Sequence, residues 1–134
     1  MSCCDAATLT LINNAGTTIT ISSIHTSEGT LRSFSNGGTI SGSYGSQQSG
    51  LAYSAGGSRG VASGTLTIGL GNPAVSMQLT YDFTPKNNMG NCPCTSTVKS
   101  KSVTNGNFVA NAAVSNGSSD GKAAITWTIS TQPL

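Results

Sequence analysis

The sequence predicts an all-β protein, a single antiparallel β-sandwich. Three observations point there. Apolar residues recur at every second position in run after run, the spacing that places them on one side of a pleated strand. The runs are separated by clusters of Gly, Asn, Ser and Pro, the residues that turn a chain. No window of about three helical turns combines helical apolar spacing with proper caps. One wet face per strand is the mark of antiparallel sheets rather than of a doubly wound α/β fold.

The elements follow in order. Thr8-Leu9-Thr10-Leu11-Ile12 alternates, Asn13-Asn14-Ala15-Gly16 turns, and Thr17-Thr18-Ile19-Thr20-Ile21 alternates again, which predicts a β-hairpin. His25 falls in a Thr/Ser-rich turn. Residues 33–60 are Gly- and Ser-rich, carry Tyr44 and Tyr53, and are expected as short strands with long loops. In Thr65-Leu66-Thr67-Ile68-Gly69-Leu70, Leu66, Ile68 and Leu70 share a face before Gly71-Asn72-Pro73 breaks the strand. The cleanest run puts Val75, Met77, Leu79, Tyr81 and Phe83 on one side and Ser76, Gln78, Thr80 and Asp82 on the other. Residues 84–95 are expected as a loop. Phe108, Ala110, Ala112 and Val114 share a face, and Asn116 to Gly121 turn the chain. Ala123, Ile125, Trp127 and Ile129 form the last inward face. About eight to ten strands are expected for such a chain. The 134 residues make one domain, 1–134, with 1–7 as a flexible N-terminal segment.

Composition narrows the function. Ser, Thr, Gly and Asn fill half the chain, and charged residues are only 7%, against about 25% in an average globular domain. A net charge of +2 lacks the dense basic patch of a nucleic-acid partner, and none is expected. No stretch approaches the roughly 20 apolar residues of a membrane-spanning helix. The opening Met1-Ser2-Cys3-Cys4-Asp5 has neither a basic region nor an apolar core, so no signal peptide is expected.

Catalysis is not expected. A lone histidine and four scattered carboxylates, Asp5, Glu28, Asp82 and Asp120, make neither a Ser-His-Asp set nor a carboxylate pair. The glycines follow no G-x-x-x-x-G-K phosphate-loop pattern, and no cofactor is expected. Cys3 and Cys4 stand together, and Cys92 and Cys94 flank Pro93. Disulfides from the N-terminus to 92–94, free thiols and a thiolate metal site are all compatible with this spacing, and the pairing is open. Bridges of that kind would close a loop of roughly 90 residues and contribute a few kcal/mol.

Thr-x-Thr recurs at Thr8/Thr10, Thr18/Thr20, Thr65/Thr67, Thr95/Thr97 and Thr126/Thr128. Threonine is a β-branched strand former that suits a solvent face, which accounts for the pattern without a ligand such as ice or crystalline polysaccharide. Rings beside polar groups suit a sugar or a lipid headgroup. Tyr81 and Phe83 end the best strand beside Pro85, and Tyr44 and Tyr53 lie in the Gly/Ser-rich stretch. Trp127 reads as core. Arg32 and Arg59 lie beside Gly/Ser turns, where a guanidinium can meet phosphate or carboxylate.

Several segments together resemble the aegerolysins and, more distantly, the actinoporin-like cytolysins. They are Ile12-Asn13-Asn14-Ala15-Gly16-Thr17-Thr18-Ile19, the Gly-rich strand entry Arg59 to Ile68, Met77-Gln78-Leu79-Thr80-Tyr81-Asp82-Phe83-Thr84-Pro85, and Ala124-Ile125-Thr126-Trp127-Thr128-Ile129. Their order and spacing cover most of the chain. The resemblance implies a compact sandwich; the chain departs from actinoporins in that its first strand begins near Thr8, so no N-terminal pore helix is expected. It implies binding of a membrane lipid or its headgroup, as a toxin component that is pore-forming or insecticidal with a larger partner protein. It also implies cytoplasmic synthesis, with release or crystal deposition, and action at a target membrane or outside the cell. The ligand-binding set expected is Tyr81, Asp82, Phe83 and Pro85, with Arg59 and Tyr53. A carbohydrate-binding lectin and a self-assembling structural subunit, a homo-oligomer, are the alternative readings.

Overall fold

The computed structural model describes residues 6–53, 61–88, 91–116 and 123–131, with 85–88 and 91–96 described by backbone alone. Among these residues there are eleven strands and no helix. They are β1 (Ala6–Asn14), β2 (Ile19–Glu28), β3 (Thr30–Arg32), β4 (Thr39–Ile40), β5 (Ser46–Tyr53) and β6 (Ala62–Leu70). β7 (Val75–Asn88), β8 (Asn91–Lys99), β9 (Val103–Asn105), β10 (Phe108–Ser115) and β11 (Ala124–Thr131) complete the set. One sheet runs β3-β5-β1-β11-β10-β9 and the other β4-β2-β6-β7-β8. The count exceeds the sequence expectation because β3, β4 and β9 are only two or three residues long.

The period-two pattern translates directly into packing. Leu9, Leu11, Ile125, Trp127 and Ile129 of the first sheet bury against Ile19, Ile21, Leu66, Ile68, Met77, Leu79, Tyr81 and Phe83 of the second. Each such side chain removed from water contributes about 1.5–3 kcal/mol. Phe34, from the Gly/Ser-rich stretch, joins this core where Gly50 leaves room for its ring.

Several expectations are corrected. β1 and β2 do not pair; they lie in opposite sheets. The reason is Asn13, whose fully buried side chain occupies the corner. Its Nδ2 donates to the carbonyl oxygens of Thr17 (2.7 Å), Ser41 (2.9 Å) and Ile40 (3.3 Å), and its Oδ1 accepts the Ala15 N–H (2.9 Å). The Asn-rich segment is thus an arch between sheets, not a hairpin turn.

The ladder is not wholly antiparallel. β1 and β11 run parallel, with Leu9 beside Ile125 and Leu11 beside Trp127. A parallel pair needs a long crossover, and here nearly the whole chain supplies it. Residues 84–95 are not a loop. β7 continues to Asn88 and β8 starts at Asn91, with Pro85 opposite Ser96 and Lys86 opposite Thr95. Among the described residues β7 pairs with β6 only as far as Phe83, and a strand edge of that kind accommodates proline. β1 begins at Ala6 with Ala6 and Ala7 buried, so the strand claims the last two residues expected in a flexible segment. His25 is an exposed strand residue opposite Thr65, not a turn residue.

Strand directions define two ends. The β2–β3, β5–β6 and β10–β11 connections lie at one, together with the β7–β8 extension. The arch from β1 to β2, the β4–β5 loop, the β6–β7 turn and the β9–β10 turn lie at the other.

Candidate functional site

Charge is segregated along the sandwich. Glu28, Arg32, Asp82, Lys86, Lys99 and Lys101, the charged residues among those described, all lie in the half that holds the β2–β3 and β5–β6 connections. On the outer face of the five-stranded sheet, one cross-strand row reads Glu28, Ser63, Asp82, Lys99. Opposite charges directly across a strand pair favour that register.

An open groove of about 380 Å³ adjoins this row, lined by Thr80, Asp82, Lys99, Ser100 and Lys101. Its wall is tied to the core. The Ser100 hydroxyl donates to the Thr80 carbonyl (2.6 Å) and accepts the indole N–H of Trp127 (2.9 Å). That arrangement holds the start of the β8–β9 link in place and sets Lys99 and Lys101 on either side of Ser100. On the six-stranded sheet the Arg32 guanidinium stacks over the Tyr53 ring, 4.8 Å from its centroid. A stacked guanidinium still has in-plane N–H donors for an anion.

The residues expected to bind a ligand divide. Asp82 is exposed and lines the groove. Tyr53 is half-buried under Arg32. Tyr81 and Phe83 are corrected: each is 1% exposed and belongs to the core, so no aromatic corner faces solvent there. The same alternation that exposes Asp82 turns both rings inward. Burial raises the Tyr81 hydroxyl above its ordinary pKa of 10.0. Arg59, Cys3 and Cys4 lie outside the described residues, as do the side chains of Pro85, Cys92 and Cys94. Trp127 is buried.

Lys99, Ser100, Lys101 and Thr80 were not legible as site residues. Lys99 meets Asp82 only through the β7–β8 register, 17 residues apart in the chain. The threonine rows form no unbroken array either. Thr10 stands beside Thr126 and bonds Ser49 (2.9 Å), but Thr8 faces Ala124 and Thr128 faces Ile12. Gly56-Gly57-Ser58-Arg59-Gly60 has the spacing of a Gly-x-Ser-x-Gly nucleophile elbow. That device needs a strand-to-helix turn, whereas strand β6 begins at Ala62, and the run itself lies outside the described residues. Among the described residues no three of His, Cys, Asp and Glu gather to hold a metal ion.

No family model and no curated protein matches the sequence. Solved structures do match: seven chains are similar. In fold, this chain is similar to the lipid binding protein Nakanori. The likeness covers 94% of this chain and 71% of that one, with a TM-score of 0.61 at 13% identity. Identity that low makes it a likeness of architecture alone.

Proposed function

We propose that this protein binds membrane lipid by its headgroup, at the charged end of the sandwich. The observation that carries the reading is the Asp82–Lys99 pair set across two strands in an open groove beside Lys101. A zwitterionic phospholipid headgroup presents a phosphate and an ammonium a few ångströms apart. Lys99 and Lys101 suit the phosphate, and Asp82 suits the ammonium. The architecture shared with a lipid binding protein over nearly the whole chain supports the same ligand class.

The role on that surface is targeting rather than catalysis. We read the chain as the binding component of a toxin that works with a larger partner protein at a target membrane, consistent with its resemblance to aegerolysins. The test is sedimentation with vesicles of phosphatidylcholine, phosphatidylethanolamine or sphingomyelin. Binding that weakens about tenfold, ~1.4 kcal/mol, in Asp82→Ala or Lys99→Ala supports the proposal. No sedimentation with any of the three, or binding indifferent to both substitutions, overturns it.

A further inference from the structure

The opposite end of the sandwich has a different chemistry. The segments Asn14–Thr18, Ser41–Gly45, Gly71–Ala74 and Gly106–Asn107 cluster there, and none contains a charged residue. Tyr44 stands on the second of them, 84% exposed, the most exposed large apolar side chain among the described residues.

The loop that carries Tyr44 is held firmly. Asn13 Nδ2 bonds the Ser41 and Thr17 carbonyls, and the Gly45 N–H is shared between the Asn13 carbonyl and Asn14 Oδ1, both at 3.0 Å. The Ser46 N–H donates to the Ser43 carbonyl (3.0 Å), closing the turn around Tyr44. Gly45 has φ +85°, which a side chain would strain. A ring displayed on an ordered loop loses little freedom when it meets a ligand.

A groove of about 340 Å³ lies at the same end, lined in part by Thr17, Thr18, Thr20, Gly71 and Ala74. The Tyr44 loop packs on one of these lining residues: a Cβ at Gly42 would stand 3.0 Å from the Thr17 carbonyl carbon. The volume falls within the range of small-molecule sites, about 300–1,000 Å³.

Hydroxyls, amides and one exposed ring, with no charged side chain among the described residues of this end, suit a ligand that is itself uncharged, flat-faced and rich in hydroxyls. A pyranose has those properties: its C–H face stacks on an aromatic ring and its hydroxyls exchange hydrogen bonds with threonines. A membrane-inserting tip would need aliphatic side chains, and beyond Tyr44 this end shows mainly Gly, Asn, Ser and Thr. We propose that the uncharged end is a second binding site, separate from the charged groove, which takes a neutral saccharide against Tyr44, Thr17 and Thr18.

The experiment is an array of neutral and sialylated oligosaccharides probed with the wild type, Tyr44→Ala, Tyr44→Phe and Asp82→Ala, with vesicle sedimentation run in parallel. Neutral glycans bind the wild type, Tyr44→Phe and Asp82→Ala alike, and Tyr44→Ala loses about tenfold or more, the scale of one lost aromatic contact. Unchanged melting of Tyr44→Ala, expected for so exposed a residue, assigns that loss to the site. No glycan bound, or glycan binding indifferent to Tyr44→Ala, overturns the proposal. So does a Tyr44→Ala that loses vesicle binding without any glycan signal, which would make this end the membrane-facing one.

Discussion

Tyr81 packs over Gly64 on the neighbouring strand. A Cβ at position 64 would stand 2.7 Å from the Tyr81 phenol oxygen and 2.4 Å from the His25 carbonyl oxygen. The missing side chain is what leaves room for the end of the ring. Gly64→Ala therefore loses about 1–3 kcal/mol through overpacking. Urea denaturation measures it, and unchanged stability would mean the ring does not occupy that space.

The same burial has a pH signature. The Tyr81 hydroxyl is raised above 10.0 in the folded protein because ionisation inside the core is unfavourable. The unfolded chain releases this proton near its ordinary value while the folded chain keeps it. The stability involved is fully present below about pH 10 and falls as pH rises through the folded pKa. Tyr81→Phe should flatten this alkaline decline, read from denaturation midpoints between about pH 8 and pH 11.

Asn13 joins the two sheets through the donors of its side-chain amide. Asn13→Ala leaves the Thr17 and Ser41 carbonyls without their partner. The expected loss is about 2–3 kcal/mol, since part-buried acceptors are left unpaired. Hydrogen exchange should also quicken at the Gly45 amide, because the Asn13 side chain tethers at Ser41 the loop that presents this amide to the Asn13 carbonyl and Asn14 Oδ1. A Gly45 amide that keeps its protection would show that the loop is held by other contacts.

Trp127 is the single tryptophan, and its indole N–H bonds the Ser100 hydroxyl. Its fluorescence therefore reports global unfolding from one place. Ser100→Ala removes the acceptor and costs about 1–2 kcal/mol. The same substitution frees the segment between Lys99 and Lys101, so vesicle binding should weaken along with stability.

Headgroup binding through Lys99 and Lys101 is electrostatic and exposed, so it is screened by salt. Vesicle affinity should drop between about 0.05 M and 0.5 M salt, where the Debye length falls below about 5 Å. Lys99→Ala should show a shallower salt dependence. An affinity independent of salt would move the contact away from the charged end.

For the cleanest alternating runs, the side that faces inward was legible in the sequence, because strand periodicity is local. Met77, Leu79, Tyr81 and Phe83 alternate with Gln78, Thr80 and Asp82 whatever the strand pairs with, and their burial follows that count. So do Leu66, Ile68 and Leu70, and Ile125, Trp127 and Ile129. A β-sandwich follows from such faces once each must be covered. The expectation of an outward aromatic corner failed at Tyr81 and Phe83 because the strand does not end there: β7 runs on to Asn88, and the alternation keeps both rings inside.

What the strands are next to is a different matter, decided by contacts far apart in the chain. An Asn-Asn-Ala-Gly segment serves equally as a hairpin turn or an arch, and only the Ile40 and Ser41 carbonyls arriving at Asn13 make it an arch. The parallel meeting of β1 and β11, the register that sets Lys99 beside Asp82, and the gathering of described charges in one half of the sandwich are of this kind. Alternation is written in neighbouring residues, so the chain by itself determined inside from outside. Adjacency depends on how two sheets close over one core, so only the tertiary structure assembled the charged groove at one end and the tyrosine-bearing tip at the other.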